Sequence, residues 1–343
     1  GLVGSEMCIR DRRLGACTDC RRFWAKYRAG EIDSEEIEMV EGRLATTAGT
    51  CGVMGTASTM ACLAEVLGMG LPDSAAIPAV HSERLALAEE TGRKAVALID
   101  KPILPSQIIT SESVENALRL LMAISGSTNA IIHLAAIAGR CGIDLSHDLI
   151  NKISDETPVL VNLKPAGAGY MEDFAAAGGV RAVLQEIKDL LNLETLNVEG
   201  RTLREILAKP VEWTDRVYIR DKSEPLSPVG GLISLKGTLA PDGAILKRAA
   251  ATPELFESES RAVVFNGLED LVNRIDDPDL DVKPDDILVL KNAGPVAAGM
   301  PEAGYLPIPK KMAQQGVKDM VRISDARMSG TAFGTIVLHV SPE

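Results

Sequence analysis

The sequence is poor in aromatic side chains and in positive charge. Only 3% of its 343 residues are aromatic, and 36 Lys and Arg stand against 48 Asp and Glu, a net charge of −12. A base-stacking platform needs aromatic rings and a nucleic-acid surface needs basic patches, so both are disfavoured. We expect no nucleic-acid partner. An anionic small substrate stays possible if local positive charge or a metal ion receives it.

Long apolar runs are missing as well. No stretch reaches the about 18 apolar residues of a membrane-spanning helix, and the first residues lack the three segments of a signal peptide. We therefore expect no membrane partner and a cytoplasmic location. Residues 1–12 lack a starting Met and resemble translated adapter sequence, while the other end follows a strand-like segment directly. We expect a non-native scar over 1–12 and a fragment cut at both ends.

Metal-ligand spacing is rare among the histidines and cysteines. The four histidines show no H-E-x-x-H pattern, and the six cysteines include one C-x-x-C pair, Cys17 and Cys20. That pair has no second C-x-x-C and no histidine at ligand spacing, so a metal or redox role is not assigned to it. Cys62, in an apolar helical stretch, and Cys141, at a helix end, are expected to be structural.

The length predicts two domains of an α/β protein. Over residues 13–222, short helices and short apolar strands alternate, which predicts an incomplete α/β layered domain that contains Cys51. After the linker-like Glu224–Pro228, Gly and Pro separate shorter elements over 223–343, which predicts an incomplete β-barrel-like C-terminal domain. Its strands are expected at Gly231–Leu235, Ala244–Lys247, Arg261–Phe265, Ile287–Leu290, Met320–Ile323 and Thr335–Val340.

Three local features of the first domain are specific enough to test. Asp33 or Ser34 is expected to cap a short helix. Pro158–Asn162 is expected to form a buried strand. Met171–Leu191 has an amphipathic helical pattern that two adjacent glycines, Gly178 and Gly179, interrupt.

Cys51 is the first candidate for chemistry. It lies between Gly49 and Gly52, directly before an apolar helix. Backbone N–H groups and the helix dipole at such a position stabilise a thiolate, which a nucleophile or an iron–sulfur ligand requires. A glycine turn with an incidental cysteine and a phosphate-binding loop stay open as alternatives, although no Walker or dinucleotide glycine motif is present.

Two loops of the C-terminal domain offer oxygen ligands and small hydroxyls. Glu302 lies among Gly and Pro residues in Gly299–Gly304, where a carboxylate can hold Mg²⁺; an exposed loop glutamate is the alternative. Ser324–Thr331 places hydroxyls beside Gly330, and Arg327 suits a carboxylate. A β-turn whose hydroxyls satisfy the backbone is the alternative there.

Six segments together resemble one known family: Gly49–Met60, Ser125–Ala130, Gly237–Gly243, Lys291–Pro295, Gly299–Glu302 and Ser324–Thr331. They are similar, in the same order, to segments of the dihydroxy-acid and sugar-acid dehydratases, the IlvD/Edd family. The resemblance covers essentially Arg13 to Glu343. Cys17–Arg28 and Val159–Gly167 are similar to the pentonate branch of that family.

The resemblance implies a hydro-lyase that removes water from a 2,3-dihydroxy sugar acid, a pentonate such as L-arabinonate, to give a 2-keto-3-deoxy acid. It implies an iron–sulfur cluster, [2Fe–2S] rather than [4Fe–4S], and Mg²⁺. Cys51 would be a cluster ligand, Glu302 a Mg²⁺ ligand, Ser329 the base as an alkoxide, and Thr331 a contact to substrate or serine. A serine can act as a base at neutral pH only beside a cationic metal centre. A homodimer or homotetramer is expected.

The sequence also departs from the family. Nothing before Cys51 matches the segments that supply two further cluster cysteines, more Mg²⁺ carboxylates and a metal-site lysine, so this chain alone is expected to be inactive. Dihydroxy-acid dehydratase of branched-chain synthesis is the alternative activity, and 6-phosphogluconate dehydratase comes third, because no Lys/Arg cluster for a phosphate lies near the motifs. A non-catalytic anion-binding module is the alternative class, and it predicts no iron.

Overall fold

The computed structural model describes residues 13–45, 47–299, 306–328 and 333–343. Most of the helices in this part of the chain precede residue 207, and all six strands follow residue 232. The helices are α1 (Thr18–Ala29), α2 (Ser34–Glu41), α3 (Thr56–Val66), α4 (Ser82–Asp100), α5 (Pro105–Ile108), α6 (Ser111–Ala123), α7 (Asn129–Arg140), α8 (His147–Glu156), α9 (Met171–Ala176), α10 (Gly179–Glu186), α11 (Leu203–Ile206), α12 (Leu268–Arg274) and α13 (Lys310–Gln314). The strands are β1 (Ile233–Leu235), β2 (Ala244–Leu246), β3 (Ala262–Asn266), β4 (Ile287–Lys291), β5 (Arg322–Ser324) and β6 (Ile336–Leu338).

Helix α6 forms the centre of the first region. Its N-terminus is a reciprocal cap: the Thr110 hydroxyl accepts from Ser113 N at 3.3 Å, and the Ser113 hydroxyl accepts from Thr110 N at 2.9 Å. From Val114 onward the helix is buried along most of its length, and it packs against α3, α7, α8 and α10. The helix is therefore held by burial on several faces as well as by its cap.

The short helix predicted after residue 33 is present as α2, and the Asp33 carboxylate accepts from Glu36 N at 2.9 Å. The glycine interruption is confirmed too, since Gly178 separates α9 from α10 with a φ of 116°. This φ favours glycine, because a residue with a Cβ would be strained in that conformation.

The segment expected to be a strand, Pro158–Asn162, is buried, but among the described residues it forms isolated bridges and no continuous β-ladder. Val159 and Val161 form single bridges to Ser227 and Ile219, and Leu160 N donates to Ala123 O at 2.9 Å. The segment thus satisfies its backbone against irregular neighbours and the end of α6. Among the described residues, the first region is helical, rather than the layered α/β arrangement expected from the alternation of short elements.

All six strands expected after residue 222 are present, and they form one mixed sheet in the order β1-β2-β6-β5-β4-β3. Strands β3, β4, β5 and β6 are parallel, while β6, β2 and β1 are antiparallel. Within the described chain the sheet is open, with β1 and β3 at its edges, so the barrel expectation gives way to an open sheet. The physical reason is that parallel neighbouring strands need crossover connections, and α12 and α13 lie in two of them. The Gly and Pro residues between the strands indicate turns but do not fix the strand order.

The two regions have separate apolar cores, and α1 packs Phe23 into a third, smaller core with Ile37 and Val40. One core gathers the helices around α6, and the other gathers the sheet with α12 and α13. Helix α1 packs against α13, and Arg28 Nε donates to Asp276 Oδ2 at 3.2 Å. The segment after Cys17 therefore touches both regions. Nowhere in the described chain is a helix long and apolar enough to cross a bilayer.

Candidate functional site

Cys51 lies in the loop that leads into α3, as predicted. It is half-buried and lines a cavity of about 650 Å³ together with Gly49, His81, Arg84 and Tyr170. Helix α3 has no side-chain cap at its N-terminus. Because the first N–H groups of a helix are left without intrahelical partners, this end of the helix favours an anionic group. The cavity beside Cys51 has room for a ligand, and two arginines, Arg13 and Arg84, line its wall.

The Cys51 loop is anchored by backbone hydrogen bonds to a second segment. Met54 N donates to Lys164 O at 3.0 Å, and Gly52 O accepts from Met171 N at 2.8 Å. The Ser58 hydroxyl, on the first turns of α3, donates to Val53 O at 2.9 Å. These bonds hold the residues on both sides of the cysteine in one arrangement.

A buried carboxylate organises the segment behind this loop; we call Asp19, Lys164, Tyr170, Arg22 and Gly15 the Asp19 network. Asp19 is 1% exposed. It accepts from Gly15 N at 2.8 Å, from Lys164 Nζ and Tyr170 Oη at 3.1 Å each, and it pairs with Arg22 at 2.8 Å. A buried charge is tolerated only when it is paired and hydrogen-bonded, and Asp19 meets both conditions. Asp19 was not predicted as a site residue, because it lies among the charged residues of α1 in the sequence.

The same network brings Cys17 to Cys51. Their Sγ atoms are 3.5 Å apart, and both thiols are half-buried. Cys20 lies one turn further along α1, where burial raises the pKa of its thiol and the neighbouring Cys17 and Glu41 raise it further. The two cysteines of the C-x-x-C pair therefore lie in different surroundings. Cys17 contacts Cys51, the candidate cluster ligand, and Cys20 lines a different groove beside Ile275 and Pro307.

For the other two cysteines of the described chain, the structural expectation is confirmed at Cys62, while burial gives it no support at Cys141. Cys62 is fully buried in the core around α6, and burial raises the pKa of its thiol strongly. Cys141 is exposed and ends α7. Neither lines the cavity beside Cys51.

Glu302, Ser329 and Thr331 lie outside the described residues, and their roles stay predictions. The residues that follow both loops are described, and they meet at Arg322. Its guanidinium donates to Leu306 O at 3.2 Å and to Phe333 O at 3.1 Å. Leu306 is the first described residue after the Glu302 loop, and Phe333 is the first after the Ser329 loop. One side chain therefore holds the ends of both loops.

Arg322 is part of a second buried ion network, and we call Arg322, Asp319, Thr335, Leu306 and Phe333 the Arg322 network. Arg322 is 2% exposed, and its Nη2 donates to Asp319 Oδ1 at 2.9 Å. The Asp319 carboxylate also accepts from Thr335 N at 2.8 Å and from the Thr335 hydroxyl at 2.9 Å. Arg322 lies within the strand expected at Met320–Ile323, but no functional role was predicted for it.

Two buried titratable groups directly follow strands of the sheet. Lys247 directly follows β2, and burial lowers its pKa to about 7. Ala250, three residues on, accepts from Gly334 N at 2.8 Å. His339 directly follows β6, and its pKa falls to about 4 because the ring is buried and because Arg327 and His133 oppose its charge. At neutral pH His339 is therefore neutral, whereas Lys247 is divided between its charged and neutral forms.

The described residues supply only part of a metal site. Within them, no group of three or more His, Cys, Asp or Glu side chains is placed to hold a metal ion. Cys51 fits one thiolate ligand, since it lines a roomy cavity at a helix start. A complete set of donors for a cluster or for Mg²⁺ is not assembled among these residues.

Comparison with known proteins defines the class. Residues 3–206 match the dihydroxy-acid/6-phosphogluconate dehydratase N-terminal domain, and residues 217–343 match the corresponding C-terminal domain. Both domains are those of dehydratases, the hydro-lyases that eliminate water. The chain belongs to the dihydroxy-acid/6-phosphogluconate dehydratase family.

Individual relatives extend over nearly the whole chain. The L-arabinonate dehydratase of Rhizobium leguminosarum bv. trifolii is 45% identical over 98% of this chain and 58% of its own length. The 6-deoxy-6-sulfo-D-gluconate dehydratase of Pseudomonas putida is 43% identical over 97% and 58%. The dihydroxy-acid dehydratase of Caldanaerobacter subterraneus is 42% identical over 92% and 57%. The chain thus spans 57–58% of the length of these curated relatives.

Proposed function

We propose that the gene product containing this chain removes water from a 2,3-dihydroxy sugar acid, a pentonate such as L-arabinonate, and releases a 2-keto-3-deoxy acid. The observation that carries the proposal is the 45% identity with an L-arabinonate dehydratase over 98% of the chain. The cavity beside Cys51, which Arg84 also lines, supports it, because an anionic sugar acid needs room and local positive charge.

The proposal includes an iron–sulfur cluster, [2Fe–2S] by preference, and Mg²⁺. When bound, these groups would supply Lewis acidity to the departing hydroxyl and hold the substrate carboxylate. Cys51 would contribute one thiolate to the cluster, and Glu302 one carboxylate to Mg²⁺. The remaining ligands would come from residues outside the described part of this chain.

Ser329 is proposed as the base that removes the proton from C2, with Thr331 orienting it or touching the substrate. A serine alkoxide needs a cation nearby, so Ser329 and Glu302 must lie at one site. The Arg322 network supports this arrangement, because one guanidinium holds the residues that follow both loops.

The test is an anaerobic assay of the gene product for 2-keto-acid formation from pentonates. We expect Ser329→Ala to abolish turnover while it leaves the iron content and the visible spectrum unchanged. The matched control is Ser258→Ala, at an exposed serine whose hydroxyl donates to Leu255 O at 3.4 Å. It should leave turnover unchanged. Full activity of the Ser329 variant would refute the base assignment.

Dihydroxy-acid dehydratase is the second candidate activity, supported by the 42% identity with the Caldanaerobacter enzyme. Turnover of a branched-chain dihydroxy acid without turnover of pentonates would establish it in place of the first. The proposal further includes a cytoplasmic location, a homodimer or homotetramer, and no nucleic-acid or membrane partner. A cluster-free protein that binds anions without turnover would replace both activities with a binding module.

A further inference from the structure

Two thiols from distant parts of the sequence meet at the candidate site. Cys17 caps the start of α1, Cys51 lies before α3, and their Sγ atoms are 3.5 Å apart. A disulfide bond is about 2.05 Å long, so the two sulfurs need to approach by about 1.5 Å. Side-chain rotation and small backbone shifts supply a movement of that size.

Both thiols are positioned by the same segment of the chain. Behind Cys17, Asp19 binds Gly15 N at 2.8 Å and Lys164 Nζ at 3.1 Å. Ahead of α3, Met54 N donates to Lys164 O at 3.0 Å. Lys164 thus holds one thiol segment through its side chain and the other through its backbone. The sulfur contact is therefore a consequence of ordered structure on both sides.

Access and competition favour this pair over the C-x-x-C partner. Cys51 lines the open cavity, where a small oxidant can reach it. Cys20 lines a different groove with Trp24 and Pro307, and burial raises the pKa of its thiol, which lowers its fraction of reactive thiolate. Cys51 is therefore the thiol expected to react first, with Cys17 as its resolving partner.

We propose that Cys17 and Cys51 are a redox modification site: a hydroperoxide closes them into a disulfide, and a dithiol opens it again. In the first step the Cys51 thiolate attacks the peroxide oxygen, giving a sulfenic acid and releasing the alcohol or water. In the second, the Cys17 sulfur attacks the sulfenic sulfur, forming the S–S bond and releasing water. Two thiols are oxidised and one hydroperoxide is reduced. Closure removes the Cys51 thiolate from metal binding, and this consequence rests on the proposed function.

The direct test treats the reduced, natively folded chain with hydrogen peroxide, then counts thiols and maps the linked peptides by mass spectrometry. We expect loss of two thiols, a link between Cys17 and Cys51, and full recovery with dithiothreitol. Cys17→Ser should instead leave a sulfenic acid at Cys51 that a dimedone probe traps. Cys20→Ser is the matched control from the same helix and should form the same link as the unmodified chain.

Three outcomes would overturn the proposal. The first is a Cys17–Cys20 link in place of the predicted one. The second is that Cys17 and Cys51 both stay reduced at a peroxide concentration that oxidises the exposed Cys141. The third is an equal yield of the predicted link in urea-unfolded chain, because proximity in the fold would then play no part.

The consequence for metal binding is tested separately, with Cd²⁺ as the probe. Reduced chain should show a sulfur-to-cadmium absorption that Cys51→Ser lowers, and peroxide-closed chain should lose the same component. A Cys51-dependent signal that survives closure would overturn the regulatory consequence. Failure of the proposed function has a different signature: the complete gene product would bind the same amount of iron with and without Cys51, whatever the disulfide map.

Discussion

The two halves of the candidate site are each supported by a buried ion network, and the two networks are built in opposite ways. The Asp19 network places one carboxylate at its centre and gathers donors around it. The Arg322 network places one guanidinium at its centre and gathers carbonyl oxygens and a carboxylate around it. The comparison indicates that a buried charge of either sign can hold a segment that carries candidate residues.

The networks also differ in their exposure to water. Asp19 is buried, but the partner side chains Arg22 and Lys164 keep 43% and 18% of their surface exposed. Arg322 and Asp319 keep only 2% and 12%. A charge left without its partner is more costly where water cannot reach it. We therefore expect the Arg322 network to be the more sensitive of the two.

The largest expected effect is that of Arg322→Met. It leaves Asp319 without its cation and the Leu306 and Phe333 carbonyls without their donor, so the free energy of unfolding should fall by about 3–5 kcal/mol. Urea unfolding measures it. Arg204→Met, which breaks a well-exposed pair with Glu194, is the control and should cost less than about 1 kcal/mol. Equal losses in both variants would show that the Arg322 network is not a buried support.

Asp19→Asn comes next, with an expected loss of about 2–3 kcal/mol, because Lys164 can turn its charge toward water. The same variant should slow formation of the Cys17–Cys51 disulfide. Asp33→Ala removes the N-cap of α2, outside the network, and is expected to cost about 1 kcal/mol. If Asp33→Ala slowed disulfide formation as much as Asp19→Asn, the network would not be what positions the thiols.

The smallest expected effect is that of His339, and it depends on pH. Its pKa is about 4 when folded and about 6.5 when unfolded, so the unfolded chain takes up a proton first as the pH falls. Its contribution to stability is intact above pH 6.5 and is lost between pH 6.5 and 4. Unfolding of His339→Asn should therefore depend less steeply on pH in this window. A stability difference between variant and parent that is the same at every pH would contradict this assignment.

How far the sequence predicts the fold depends on whether a pattern is local. The six strands and the Asp33 cap follow from apolar spacing and turn residues, which act over a few positions, and all are present. The open sheet was not predicted, because strand order depends on crossovers that span many residues. The Pro158–Asn162 segment was predicted correctly as buried, but whether it joins a ladder depends on neighbours far along the chain.

The candidate site divides in the same way. Cys51 was found because glycines and a helix start surround it in the sequence. The Asp19 and Arg322 networks were missed because their members lie 145 and 16 residues apart, as in Asp19–Lys164 and Arg322–Leu306. One signal was available for the second network: Arg322 interrupts an apolar strand, and a charge there is expected to be paired. The roles of Glu302, Ser329 and Thr331 stay predictions.

The most direct test of the central claim is a comparison of iron and sulfide content in the anaerobically purified gene product, with Cys51→Ser set against Cys62→Ser. Both variants remove one thiol from neighbouring segments, but only Cys51 lines the cavity. Cys51→Ser should lose most of the iron and the visible colour, while correctly folded Cys62→Ser should keep both. Undiminished iron in Cys51→Ser would contradict the assignment of Cys51 as a cluster ligand.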